Sequence, residues 1–193
     1  MNARAQQPRT GGFALVEVML ALVIGLAVLL LMAEALLADS GYARRLGRLL
    51  RERVVAQRAL ALIAGEVQQA ELITRSSPTG DTKGCGLAGR GVRLHLQVPA
   101  GAIVYSLEAN PSAIWRGTAL MRCGPVYGVD GSLHAGTRES SVLIDAVAGN
   151  TLSIQDLSSG LLLQLERRFG DEDGTIDQLR VELLAAGAAV LVN

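Results

Sequence analysis

Few residues of this 193-residue chain have the types and spacing that chemistry needs. The two histidines, His95 and His134, are candidate bases, but neither neighbours a Ser, Cys or carboxylate pattern that marks a nucleophile–base pair. His95 lies on the polar phase of an alternating segment, which predicts a surface position, and His134 falls in the Gly-rich stretch 128–136, which predicts a loop. No GxSxG, P-loop or HExxH pattern is present, and Gly84-Cys85-Gly86-Leu87-Ala88-Gly89 follows no strand that would make it a nucleotide site. Asp171-Glu172-Asp173-Gly174, with Asp177 beyond, offers hard oxygen ligands for calcium but lacks EF-hand spacing; an acidic turn is the favoured alternative. Cys85 and Cys123 fit no zinc pattern, and two ligands do not complete a site. They are either unrelated thiols or, in an oxidising compartment, a disulfide closing a long loop. The expectation is a chain with no catalytic residues, no metal and no cofactor.

One further ionisable group stands out by its setting. Phe13 to Ala33 reads FALVEVMLALVIGLAVLLLMA, and Glu17 is its only charge. The run matches the roughly 20 residues with which a helix crosses a bilayer core. It exceeds the roughly 7–15 apolar residues of a cleaved secretory signal, so a membrane anchor fits better. A carboxylate at mid-bilayer costs roughly 2.5–3.5 kcal/mol, so Glu17 either snorkels to the interface or has a partner.

The elements that position these residues follow from hydropathy. Half the residues are apolar, 19% are charged, aromatics are 3% and mean hydropathy is +0.33, which excludes a disordered chain. Lys+Arg and Asp+Glu are both 18, so there is no basic field for nucleic acid. Beyond the apolar run, Leu46, Leu49, Leu50, Val54, Leu60, Ile63 and Val67 recur at helical spacing, with Arg44, Arg45, Arg48, Arg51, Arg53 and Arg58 mostly on other faces. No proline interrupts before Pro78, which predicts one helix from about Phe13 to Ile73, stopped by Ser76-Ser77-Pro78-Thr79-Gly80. The arginine face is read as solvated, with acidic lipid headgroups or acidic neighbours as the alternative. Strands are predicted at 92–98, 103–107, 113–121, 141–147, 151–157, 161–167 and 176–184. A long helix followed by strands means an α+β fold with an antiparallel sheet on the helix.

A basic leader with Arg4 and Arg9, then Gly12-Phe13, with Glu17 fifth from that Phe and the apolar helix behind it, resembles the class III signal of type IV prepilins and pseudopilins. The resemblance implies a pilin-like ladle: leader 1–12, a transmembrane half-helix 13–38, an amphipathic half 39–75 and a β-rich head 80–193. It implies cleavage after Gly12 by a prepilin peptidase, N-methylation of Phe13, and a role for Glu17 in assembly, attracting a neighbour's N-terminal ammonium. The implied partners are the peptidase/methylase, other pilins or pseudopilins through the helix, and an inner-membrane assembly platform. Val104-Tyr105-Ser106-Leu107 with Ala113-Ile114-Trp115-Arg116 is similar to the head hairpin of larger minor pilins and J-type minor pseudopilins. The expected function is therefore a minor pilin of a type IV pilus. The alternatives are a minor pseudopilin of a type II secretion system, or a single-pass anchored binding or enzymatic domain. The chain departs from major pilins in having no proline between Pro8 and Pro78. The implied location is the inner membrane with a periplasmic head, then the filament. The positive-inside rule opposes this, because Arg44 to Arg58 outweigh Arg4 and Arg9.

Overall fold

The computed structural model describes residues 15–75, 84–158, 160–170, 174, 176–186 and 190–192. It is α+β: helix α1 spans Leu15–Gln69, and the strands are β1 Leu72–Thr74, β2 Gly91–Val98, β3 Gly101–Ala109, β4 Thr118–Tyr127, β5 Leu133–Leu157, β6 Gly160–Gly170, β7 Ile176–Ala185 and β8 Val190–Val192. The chain divides into two compact units, residues 1–48 and 49–193.

In the first unit every side chain from Leu15 to Leu36 is exposed, and this apolar stretch is long enough to cross a membrane. Among the described residues no other helix is. Gly12 and Phe13 lie outside the described residues; Glu17 occupies the first turn of α1 and is exposed.

In the second unit the strands form one sheet in the order β7-β6-β5-β4-β3-β2-β1-β8. All neighbours are antiparallel except β1 and β8, which run parallel. Strands β7 and β8 occupy opposite edges, yet only four residues, 186–189, join them. A flat eight-stranded sheet would hold its edge strands about 34 Å apart, while that connection reaches at most about 18 Å. The sheet therefore curls. Its concave face packs on α1: Ala56, Ala59, Leu60, Ile63, Ala64 and Val67 share one core with Leu94, Leu96, Ile103, Tyr105, Leu120, Leu163 and Leu165.

Several expectations are corrected. The helix ends at Gln69, not Ile73, because Leu72–Thr74 pair with Gln97–His95 as β1. Leu46, Leu50 and Val54 are exposed; the packed face begins at Ala56 and relies on alanines, which let the helix approach the sheet closely. Residues 113–117 are not strand: Trp115 N–H donates to Ser112 O (3.2 Å) in a turn, and β3 pairs instead with Thr118–Cys123. The segments 141–147 and 151–157 are one strand, β5, which begins at Leu133 and so takes in His134. Its path is bent by register shifts and by Ala146, whose φ is 55°. His95 is fully buried, not on the surface. Alternation predicts exposure only when one sheet face meets water, and here both faces of the central strands are covered.

Candidate functional site

The polar side chains that converge in the second unit come from α1 and the concave face of the sheet. Glu66 stands on the packed face of α1 and is fully buried. Its carboxylate accepts hydrogen bonds from Tyr105 Oη on β3, from Arg122 Nε on β4 (2.7 Å) and from Tyr127 Oη (2.7 Å). Arg122 Nη2 also donates to the Pro125 carbonyl (3.0 Å), and its guanidinium lies 5.1 Å from the Tyr127 ring centre. Burial, then the adjacent Glu66 carboxylate, pushes both tyrosine hydroxyls above their ordinary range, so they act as donors and not as bases.

A second cluster lies fourteen residues earlier on the same helix. Glu52 accepts from Arg116 Nη1 (3.0 Å) and Arg167 Nη1 (2.5 Å), while Asp145 accepts from Arg116 Nε (2.9 Å) and Arg167 Nη2 (3.0 Å). Arg167 is 1% exposed and the Phe169 ring lies beneath it at 5.7 Å. Burial raises the pKa of both carboxylates, but the arginine hydrogen bonds outweigh it and hold Glu52 and Asp145 below their ordinary values. The Arg116 backbone takes part as well, with its N–H on Asp145 Oδ2 (3.1 Å) and its carbonyl accepting from Ala146 N–H (2.7 Å). That bond accompanies the left-handed backbone at Ala146.

Both clusters are charge-balanced and saturated with hydrogen bonds, which is what a buried ionic group requires if it is not to unfold the domain. Neither holds a nucleophile. Their effect is positional: they fix the rotation and register of α1 against the sheet. Sequence inspection missed them, because Glu66 and Arg122 are 56 residues apart and Glu52 and Arg167 are 115 apart, with no local pattern to join them.

The convex face has its own staple. Cys85 and Cys123 form a disulfide, Cα–Cα 5.6 Å, tying the Gly84–Arg90 segment to β4. Arg90 Nη1 donates to Ser140 Oγ (2.9 Å) and to the Cys85 carbonyl (3.1 Å), and Arg90 Nε pairs with Glu108 (2.7 Å).

The remaining candidates do not assemble. His134 is exposed and 3.8 Å from Asp130, whose carboxylate is engaged by the Ser132 hydroxyl (2.8 Å). Of the acidic run, Asp171, Glu172 and Asp173 lie outside the described residues, and Asp177 is buried. Among the described residues no group of three His, Cys, Asp or Glu is arranged to hold a metal. A pocket of about 360 Å³ beside the end of α1 is lined by Gln69, Val98, Pro99, Ala100, Ser132 and Leu133, with no acid–base pair among them. Compared with family models, with curated proteins and with solved structures, the chain matches none.

Proposed function

We propose that this chain is a membrane-anchored structural subunit of a filament, a minor pilin of a type IV pilus, cleaved after Gly12 and methylated at Phe13. The observation that carries the reading is the division of labour along α1. Leu15 to Ala33 is exposed and apolar but for Glu17 in the first turn, whereas Ala56 to Val67 is packed on the sheet. A helix apolar on all sides is stable only in lipid or among other such helices, which suits storage in a membrane followed by assembly. Glu17 in that setting needs a cationic partner, and the methylated ammonium of a neighbouring copy would offset the desolvation of both. The Cys85–Cys123 disulfide supports a head outside the cytoplasm, where thiols oxidise and stay oxidised. It counts against the opposite orientation favoured by Arg44 to Arg58.

Intact-mass analysis of the protein from its native host tests the reading. The expected product lacks Met1 to Gly12 and carries one added methyl group. Retention of the leader in the presence of active peptidase refutes it. Glu17→Ala is expected to insert in the membrane normally but to be depleted from filaments, and wild-type incorporation would remove the role assigned to Glu17.

A further inference from the structure

An apolar knob and a pocket sit at opposite ends of the same two strands. The knob is the connection 110–117 between β3 and β4, which holds Ile114 (80% exposed) and Trp115 (37%) outward; neither belongs to the core. Its shape is fixed by hydrogen bonds. Asn110 N–H donates to the Gly117 carbonyl (3.1 Å) and Trp115 N–H to the Ser112 carbonyl (3.2 Å). Arg116 is held by Asp145 through its backbone N–H, and by Asp145 and Glu52 through its side chain. Asn110 and Gly117 take left-handed backbone, φ 49° and 62°, where the chain leaves β3 and enters β4. An apolar pair held rigidly in water gains nothing for folding, and a fixed tryptophan beside an arginine is the composition of an interface hot spot.

The pocket of about 360 Å³ lies at the other end. Gln69 lines it from α1, Val98, Pro99 and Ala100 from around the β2–β3 turn, and Ser132 and Leu133 from around the β4–β5 turn. Ala100 and Leu133 back onto the core. The volume falls in the range of roughly 300–1,000 Å³ in which clefts bury a ligand. Knob and pocket share one sector of the sheet, because β3 starts beside the pocket at Gly101 and ends at the knob, and β4 returns from it. Along α1, Glu52 at the knob and Gln69 at the pocket are seventeen residues apart, about 26 Å. A second copy displaced by that distance along the helix axis sets its knob over the pocket of the first with little rotation. Flanking charges match as well. The Arg116 side chain beside Trp115 is 50% exposed, and Asp130, hydrogen-bonded to Ser132 and 3.8 Å from His134, is 65% exposed.

We infer that Ile114 and Trp115 of one chain seat in the pocket of a second copy of this chain, with Arg116 against Asp130. The two surfaces differ, so the contact is head-to-tail and leaves a free knob and a free pocket for further copies. Its area is below the roughly 1,000 Å² of a stable interface, so it forms and breaks readily. The inference deepens the filament reading and rests on it for its setting: copies seated in one bilayer lie level, and only a copy moved along its axis presents its knob to a neighbour's pocket. The contact itself is testable without a filament.

Cross-linking in detergent between two full-length variants, Ile114→Cys and Ala100→Cys, tests it, since the native cysteines are already paired. The cross-link is expected to form about tenfold faster than that of Ile114→Cys with Gln178→Cys, exposed on β7, and to slow by about tenfold when Trp115→Ala is added to the knob chain. A chain carrying both Ile114→Cys and Ala100→Cys is expected to give products beyond the dimer. A rate no faster than the control pair overturns the inference, as does indifference to Trp115→Ala. Double-cysteine products that stop at the dimer mean a closed reciprocal pair and overturn it too. Any of these results together with normal leader cleavage leaves the filament reading standing. Should Ala100→Cys not fold, the emission of Trp115, the one tryptophan, decides. It is expected to shift to the blue as the wild-type concentration rises, and not to shift in Ile114→Arg. Emission independent of concentration overturns the inference, and a shift only on transfer from detergent to lipid nanodiscs assigns the knob to a bilayer surface instead.

Discussion

Removing the carboxylate of Glu66 tests whether α1 is held to the sheet by a coupled ionic cluster or by apolar contact alone. In Glu66→Ala, Arg122 keeps its bond to the Pro125 carbonyl but loses its counter-charge in a setting where its own side chain is 8% exposed. Tyr105 and Tyr127 lose their acceptor at the same time. Breaking one partner of a buried pair costs about 3–5 kcal/mol, a large share of the 5–15 kcal/mol that ordinarily separates folded from unfolded. In a unit of this size that corresponds to a fall in Tm of roughly 10 °C. The double variant Glu66→Leu/Arg122→Leu removes both charges and should recover much of the loss, because no buried ion is left unpaired. Urea unfolding of the full chain in detergent reads both, with Trp115, the one tryptophan, as the probe. A single-variant loss below about 1 kcal/mol refutes the reasoning, as does a double variant at least as unstable as the sum of its two singles.

Two other outcomes follow from the geometry. The disulfide closes a loop with a sequence separation of 38, so Cys85→Ser/Cys123→Ser should cost about 4 kcal/mol, read as a lower denaturant midpoint. Glu52 and Asp145 have lowered pKa values in the folded state. Their stabilisation is complete above the unfolded carboxylate range of about 4–4.5 and is lost as pH falls through the lower folded values. Glu52→Gln should therefore be less stable at pH 7 and show a shallower decline below pH 4.5, which a series of urea midpoints against pH measures. An unchanged decline would mean that other carboxylates govern acid unfolding.

Much of this fold was legible because its largest features are local. The apolar run, the 3.6-residue recurrence after it and the alternation at 92–98 each report one element without reference to any other. What failed was non-local. The end of α1 was invisible because Ala70, Leu72 and Ile73 continue an apolar pattern with no Gly or Pro to interrupt it, and only pairing with β2 makes that segment a strand. His95 was misplaced because parity along β2 carries no information about whether the second face of the sheet is covered. The alanines of the packed helix face were passed over because periodicity searches weigh bulk, while close helix–sheet approach requires its absence. The cysteines were correctly singled out, but their pairing depended on a compartment that spacing does not encode. The ionic clusters join residues from distant strands, and each of those charges in isolation looks like surface.

The two carboxylates on α1 have a mechanical consequence. Glu52 and Glu66 are fourteen residues apart, about 21 Å along the axis and within about 40° of the same helix face. A pull along α1 is therefore resisted at both places together, as in a lap joint stressed in shear, and the two ionic contacts must yield in the same event instead of peeling in sequence. The curled sheet spreads that traction over β3, β4 and β6, whose Tyr105, Arg122 and Arg167 engage the two glutamates.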